Sequence, residues 1–173
     1  GTITQAHAYD AAGRRISTTD ARGNKTYFYY DASNRPVLSI SQTDQGREVA
    51  ENRYNAFGEV EVRIAYANRL SVADTSALTG GLVTAALTSR VQTLTDTTRD
   101  SKSTVIFNRR SLVQQAVDAL GHRTDYQYTA FGQMKTSWAD IGDGRRLQTD
   151  LEYDRRGLLT LSAADRAGLN IVT

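Results

Sequence analysis

Four aspartates in the last third of the chain are the side chains best placed in sequence for acid–base chemistry. Asp140 and Asp143 form one close pair, and Asp150 and Asp154 form another. Two carboxylates held in one cleft can divide the roles of general acid and general base. All four, however, fall in turns or at strand ends, where aspartate normally accepts hydrogen bonds from backbone amides. We therefore predict that the chain is not an enzyme and has no catalytic residue.

The same region contains the best candidate for a metal site. The segment Asp140-Ile141-Gly142-Asp143-Gly144 has some features of a calcium loop, but it lacks the downstream ligands that such loops use. The chain has no cysteine, and its two histidines, His7 and His122, lie near turns without a nucleophile beside them. A multi-histidine or cysteine-ligated metal site is therefore excluded, and we predict no metal and no cofactor.

Aromatic side chains suggest a second kind of chemistry, which is stacking on sugars. Trp138 and nine tyrosines could form a glycan-binding surface. Tyrosines in a thin sheet more often form cross-strand ladders that stabilise it. We keep glycan binding at a cell surface as the alternative function.

Charge and hydropathy exclude other partners. The net charge of +2 comes from 21 basic and 19 acidic residues, and no run of lysine or arginine exceeds two, so we predict no nucleic-acid binding. No apolar run approaches the roughly 20 residues of a transmembrane helix, so we predict no membrane span. The hydrophobic fraction of 39% suits thin sheets with one solvated face.

The turns themselves repeat along the chain. One type opens with an aromatic residue followed by Asp, Asn or Thr, and the aromatic residues of successive turns are 21, 24, 21 and 25 residues apart where the series is unbroken. A second type alternates with it and opens with Asp alone, and Thr95-Asp96 and Ala139-Asp140 begin two less regular copies. The predicted turn positions are Tyr9, Asp10, Gly13, Asp20, Gly23, Tyr30, Asp31, Asn34, Asp44, Gly46, Tyr54, Asn55, Gly58, Asp118, Gly121, Tyr128, Gly132, Tyr153, Asp154, Gly157, Asp165 and Gly168.

Each turn has a simple physical logic. The first residue accepts backbone hydrogen bonds, two residues follow in a helical turn, and a glycine or asparagine adopts the left-handed conformation that returns the chain to a strand. The turn at Asn108-Arg109-Arg110-Ser111 lacks the glycine, and Thr129 replaces the acidic residue in another. Runs of five to seven residues between the turns, such as Glu59 to Ile64, alternate polar and apolar residues as half-buried strands do. Tight connections then require antiparallel neighbours.

Residues 66 to 90 interrupt the repeat. Asp74 could cap a helix that enters through Ala77 and Leu78, and Gly80-Gly81 would break it. Leu82, Val83, Ala86, Leu87 and Val91 fall at helical spacing. We predict an inserted helix or helical hairpin, with a mobile loop as the alternative. The insertion could act as a plug, a docking element or, as the favoured interpretation, mere decoration.

Residues 13 to 35 carry the fullest copy of the pattern: Gly13-Arg14, Thr19-Asp20, Gly23, Thr26, Tyr30-Asp31 and Asn34-Arg35. This pattern resembles the YD repeat, also called the RHS repeat, of bacterial Rhs toxins, the C component of insecticidal toxin complexes, and teneurins. The resemblance implies an all-β fold in which consecutive antiparallel hairpins form a curved open ribbon, here with one inserted helical segment. It also implies a non-catalytic segment of a shell that encapsulates or presents a C-terminal toxin domain, and hence a secreted or cell-surface bacterial protein.

The implied partners are flanking repeats of the same polypeptide and an enclosed toxin domain. The family's self-cleaving region has no counterpart, because the chain's one proline, Pro36, does not follow an aspartate. About 12 strands at ~4.8 Å give a ribbon of roughly 55–60 Å, whereas a cargo of ~100 residues requires a perimeter well above ~100 Å. We therefore expect a fragment of a longer protein, divided into repeats over 1–65, an insertion over 66–90, and repeats over 91–173.

Overall fold

The structure, a computed structural model, describes residues 5–71 and 77–164. It divides into two compact units, which are described separately. Unit 1 comprises Gly1–Asn55 and Val62–Lys102, and unit 2 comprises Ala56–Glu61 and Ser103–Thr173. The expected roles of Asp74, Asp165 and Gly168 lie outside the described residues.

The described residues contain thirteen strands and one helix. The all-β class and the consecutive antiparallel hairpins are confirmed, since successive strands pair in chain order and the sheet does not close. The strands are β1 (Ala6–Tyr9), β2 (Arg15–Thr19), β3 (Lys25–Tyr30), β4 (Pro36–Thr43), β5 (Gly46–Tyr54), β6 (Val60–Ala65), β7 (Gly81–Leu82), β8 (Ser101–Phe107), β9 (Val113–Val117), β10 (Arg123–Tyr128), β11 (Met134–Asp140), β12 (Arg146–Tyr153) and β13 (Leu159–Ala164), and the helix is α1 (Ala85–Gln92).

The hydrophobic core among the described residues lies in unit 1. Leu38, Ile40 and Val49 from β4 and β5 project from one face of the sheet, where antiparallel pairing places Ile40 opposite Val49. The same cluster includes four residues that follow β6, namely Tyr66, Leu70, Val91 and Leu94. The segment between β6 and β8 therefore covers this face and supplies nearly half of the buried apolar side chains. It is an integral part of unit 1, in contrast to the decorative role favoured by the sequence.

Helix α1 begins at Ala85, three residues after the first apolar position that was predicted to lie on it. Thr84 caps α1, and its Oγ accepts a hydrogen bond from the amide of Leu87 at 3.2 Å. Leu82 was expected on the helix but lies on β7 and is 55% exposed. The reason is the backbone at Gly80 and Gly81, whose φ angles of +73° and +96° are incompatible with an α-helix.

Strand β7 is also the exception to antiparallel pairing. The pairing of β2 with β3 extends from Thr19 to Ser17, and further along β3 Tyr29 and Tyr30 pair in parallel with Gly81 and Leu82. The amide of Val83 continues this pairing by donating to the carbonyl of Tyr30 at 2.9 Å. A parallel partner needs a long connection, and residues 31–80, which include β4 to β6, provide it.

Unit 2 has a different character. Its strands β8 to β13 pair antiparallel in chain order. None of the buried hydrophobic residues among the described part of the chain belongs to it. The last strand, β13, is exposed along its whole length.

Candidate functional site: a row of linked turns

The repeated turns share one geometry, which Asp10 illustrates. Its carbonyl accepts from the amide of Gly13, and its Oδ1 accepts from the amides of Ala12 and Arg14 at 2.9 and 3.0 Å. Gly13 has a φ of +77°, and the register shifts by one residue beside Tyr9. This is a type I turn closed by a left-handed residue and a bulge.

Other copies repeat this arrangement with different residues. The same two amide hydrogen bonds to one Oδ1 occur at Asp20, Asp31, Asn108, Asp118 and Asp154. In the turn without glycine, Ser111 itself adopts the left-handed conformation, with a φ of +58°. At Thr129 the hydroxyl accepts one amide, that of Gln133, at 3.3 Å. The turn is therefore retained where its consensus residues are replaced.

The predicted glycine and asparagine positions in the described part of the chain also lie at turns. Gly23, Gly58, Gly121, Gly132 and Gly157 have φ angles between +81° and +87°. Asn34 takes this role with a φ of +61°. Gly46 begins β5 directly after the tighter turn at Asp44.

Hydrogen bonds hold the turn carboxylates in their ionised form. The amide four residues on makes the largest contribution to lowering the pKa of Asp20, Asp118 and Asp154. Burial alone would raise the pKa of Asp10 and Asp31, but the amides and an arginine in each turn outweigh it and lower the pKa. These carboxylates therefore act as fixed hydrogen-bond acceptors, not as proton donors.

The tyrosines of the aromatic-led turns connect neighbouring hairpins. Four of them donate the hydroxyl to the carbonyl of the residue that opens the strand beside them. The pairs are Tyr30 to Arg15 at 2.9 Å, and Tyr54 to Pro36, Tyr128 to Val113 and Tyr153 to Met134, each at 2.8 Å. In each unit, two such bonds therefore connect a turn to the preceding turn on the same side of the sheet.

Arginine and glutamine side chains add a second connection. In unit 1, Arg14 pairs with Asp10 at 2.6 Å, lies over the ring of Tyr30, and donates to Asn34 in the next turn. Arg35 pairs with Asp31 in the same way and lies 4.6 Å from the ring centroid of Tyr54.

In unit 2, different residues make the equivalent connections. Arg110 donates to the carbonyls of Thr129 and Ala130, and Gln133 donates to the carbonyl of Gly157. These linking residues are not among the turn positions predicted from the sequence. The recurrence of arginine directly after the turn glycine or asparagine was the available signal for Arg14 and Arg35.

The acidic pairs considered for catalysis do not share a function in the structure. Asp140 accepts from the amide of Arg123 and lies 3.0 Å from Arg146, whereas Asp143 is 88% exposed and contacts Arg145. Asp150 accepts from Thr136 and Gln148, and Asp154 caps its own turn. Each carboxylate therefore has its own structural partners.

The other candidates have structural partners as well. His7 lies 3.2 Å from the hydroxyl of Thr18, and His122 lies 3.1 Å from Asp118. Trp138 is half-buried, and its indole N–H donates to Gln148. Within the described ranges, no group of three or more histidine or acidic residues is arranged to hold a metal ion. No helix among the described residues is long and apolar enough to cross a membrane.

A cavity of about 280 Å³ lies beside α1 in unit 1. Its charged lining residues are Asp31, Arg35, Glu51 and Arg53. Arg53 donates to both oxygens of Glu51, at 2.8 and 3.0 Å, and Arg35 is paired with Asp31. The hydroxyl of Tyr66 also donates to Glu51, and burial followed by this hydrogen bond raises the pKa of Tyr66 to about 12. The polar groups around the cavity thus bind one another.

Comparison with known proteins identifies part of the chain. Residues 9–48 match the family model described as RHS Repeat. No curated protein matches. Among solved structures, the crystal structures of TcdB2-TccC3-Cdc42 and of TcdB2-TccC3 each align with a TM-score of 0.41 and 15% identity, over 94% of this chain and 10% of theirs. The structure of a Photorhabdus luminescens Tc holotoxin pore with the TccC3 mutation D651A aligns with a TM-score of 0.39 and 14% identity, again over 94% of this chain and 10% of that chain. The chain spans about a tenth of the length of these chains.

Proposed function

We propose that this chain, in which residues 9–48 are an RHS repeat, is a non-catalytic wall segment of a shell that encapsulates or presents a toxin domain. The observation that carries the proposal is the row of linked turns. Within each unit, tyrosine hydroxyls and linking side chains join successive hairpins, so that these hairpins cannot separate without breaking contacts outside the backbone ladder.

Such a wall must resist splaying. Antiparallel hairpins with one solvated face have little core to hold them in place. Each tyrosine–carbonyl bond between adjacent turns contributes about 1 kcal/mol, and the repeated bonds add up along the sheet. Bonds that hold adjacent hairpins together suit a structural role, whereas a catalytic site would require a cleft with free polar groups.

The proposal places the protein outside the producing bacterial cell or at its surface, with flanking repeats and a toxin domain as partners. The glycan-binding alternative stays a prediction. The four linking tyrosines already use their hydroxyls within the sheet, so a sugar would have to bind elsewhere.

A protease-protection experiment on the complete polypeptide tests the proposal. With the wall intact, a C-terminal toxin domain should resist digestion that destroys the same domain expressed alone. Double replacement of Tyr128 and Tyr153 by Phe should increase the rate of digestion of the enclosed domain. Equal digestion of the free and the attached domain in the unaltered polypeptide would show that this protein does not enclose it.

A further inference from the structure

Phe131 is the most exposed large apolar side chain of the described residues, at 90%. It occupies the third position of the turn between β10 and β11. The same position holds Ala12, Arg22 and Ser33 in other turns with this backbone geometry, so the turn does not require an aromatic residue there. Phe57 occupies the third position of another turn in unit 2 and is 85% exposed.

The turns on either side of Phe131 carry paired arginines. Consecutive hairpin turns alternate between the two ends of the strands. The β8–β9, β10–β11 and β12–β13 turns therefore lie side by side along one rim of unit 2, at intervals of about 10 Å. The first contains Arg109 and Arg110, and the last contains Arg155 and Arg156, all four exposed. Asp154, the acidic residue of these three turns, pairs with Arg156 at 3.2 Å. The three turns, here called the basic edge, therefore carry a clear excess of positive charge.

Arg110, from the neighbouring turn, holds the backbone that precedes Phe131. Arg110 donates to the carbonyls of Thr129 and Ala130 at 3.2 and 2.9 Å, directly before Phe131. These bonds fix the turn from the side and leave the guanidinium charge at the edge. The aromatic ring and the positive charges therefore project together from an ordered backbone.

The opposite edge of unit 2 provides a comparison. Leu120 occupies the third position of its turn and is 81% exposed. Its turn contains Asp118, which pairs with His122, and the next turn on that edge exposes Asp143.

An apolar tip occurs on both edges, but the charge around it differs. On the basic edge four arginines accompany the single carboxylate of Asp154. On the opposite edge each arginine of the next turn is matched by an aspartate, Arg145 by Asp143 and Arg146 by Asp140.

We propose that the basic edge binds peripherally to an anionic lipid surface, with Phe131 at the boundary of headgroups and acyl chains and the arginines on lipid phosphates. Aromatic residues beside arginine are the combination that favours interfacial binding, and arginine binds phosphate through paired N–H groups. Because the tips are convex, they suit a fluid surface that deforms around them. The proposal is independent of the shell role.

Co-sedimentation with vesicles tests this inference. The chain is mixed with vesicles of phosphatidylcholine alone and with vesicles that also contain phosphatidylglycerol. We expect binding to the anionic vesicles, weakened by added salt because exposed charges are screened. The double variant R155Q/R156Q should lose about fivefold in affinity for each arginine removed. Phe131→Ser should lose about tenfold, since the apolar side chain no longer leaves water.

Leu120→Ser is the matched control, because it removes an equally exposed apolar side chain from the same turn position on the other edge. Its binding should equal that of the unaltered chain, and circular dichroism should show that all variants fold alike. Three results would overturn the inference: equal binding to both vesicle types, anionic binding that Phe131→Ser leaves intact, and retention on heparin beads without vesicle binding. The last would assign the edge to polyanions.

Discussion

At the scale of single residues, the tyrosine hydroxyls give the row of linked turns its most direct test. Tyr153→Phe removes one donor and leaves the carbonyl of Met134 without that bond, which is 2.8 Å long. We expect a loss of about 1 kcal/mol in the free energy of unfolding, measured by urea denaturation. Tyr9→Phe is the control, since Tyr9 is 59% exposed and makes no hydroxyl bond in the described part of the chain. Equal losses of unfolding free energy for the two variants would show that the tyrosine hydroxyl bonds do not stabilise the sheet.

Gly80 tests how tightly the insertion is held. A Cβ at this position would lie 2.2 Å from the carbonyl oxygen of Ile16, and its φ of +73° is already unfavourable for alanine. Gly13 has a nearly identical φ of +77° but no atom within 4 Å of an added Cβ. Gly13→Ala should therefore lower the free energy of unfolding by about 1 kcal/mol, which is the cost of placing alanine in the left-handed conformation.

Gly80→Ala should be destabilised by clearly more than Gly13→Ala, because the backbone of Ile16 cannot move aside as a flexible side chain could. Thermal unfolding of both variants gives the comparison. If the two substitutions lower the melting temperature equally, Gly80 does not lie against the backbone of Ile16 in solution as described.

The turn aspartates predict the response to acid. A carboxylate whose pKa is lower in the folded than in the unfolded chain stabilises the fold above its unfolded pKa, and this contribution disappears as the pH falls through the folded pKa. The folded values of Asp10, Asp20, Asp31, Asp118 and Asp154 all lie below 3.8. The melting temperature should therefore be nearly constant above pH 5 and fall below about pH 4.

Asp154→Asn separates charge from geometry, because Asn108 makes the same two amide bonds in its own turn. This variant should retain the turn and show a shallower decline in melting temperature with acid. A decline as steep as that of the unaltered chain would mean that the ionised turn carboxylate is not the source of the acid sensitivity.

At the scale of elements, the helix and the loop after it are predicted to stabilise unit 1. Leu94, 8% exposed, packs in the core cluster formed by β3 to β6. Leu94→Ala should lower the free energy of unfolding by about 2–3 kcal/mol, as large-to-small core substitutions do. Leu82→Ala, at a residue of the same insertion that is 55% exposed, is the control and should have little effect. A silent Leu94→Ala would return the insertion to the status of decoration.

The elements also show what the sequence could and could not predict. The hairpins were predictable because turn chemistry is local: an acceptor at the first position and a left-handed residue at the fourth define the register between two adjacent strands. Ser111 and Thr129 retained their turns without the consensus residues, because neighbouring strands impose the geometry.

The insertion was less predictable because its contacts are distant in sequence. Leu82 and Val83 have helical spacing, yet Leu82 pairs with Tyr30 in a strand, and the amide of Val83 donates to the carbonyl of Tyr30. Nothing near residue 80 in the sequence shows that Ile16 will lie against it. The lateral contacts of Arg14 and Arg110 reach 19 to 20 residues along the chain, and they too follow from the sheet order and not from local pattern.

At the scale of the whole molecule, the two units differ in how they bury apolar surface. The nine buried hydrophobic residues identified belong to unit 1, whereas eight of the ten exposed large hydrophobic residues belong to unit 2, within the described part of the chain. Local stability follows buried contacts and protected hydrogen bonds. Hydrogen exchange should therefore be slowest in β4 and β5 and fastest in β13, measured by mass spectrometry of peptic peptides. Uniform exchange across both units would contradict this division.

The shell role is the central claim, and electron cryomicroscopy of the complete polypeptide tests it most directly. We expect a hollow shell in whose wall β1 to β6 and β8 to β13 are consecutive strands, with the tyrosine-linked turns on the same side of the sheet. A polypeptide without an internal cavity, or one in which this chain stands apart from any wall, would contradict it.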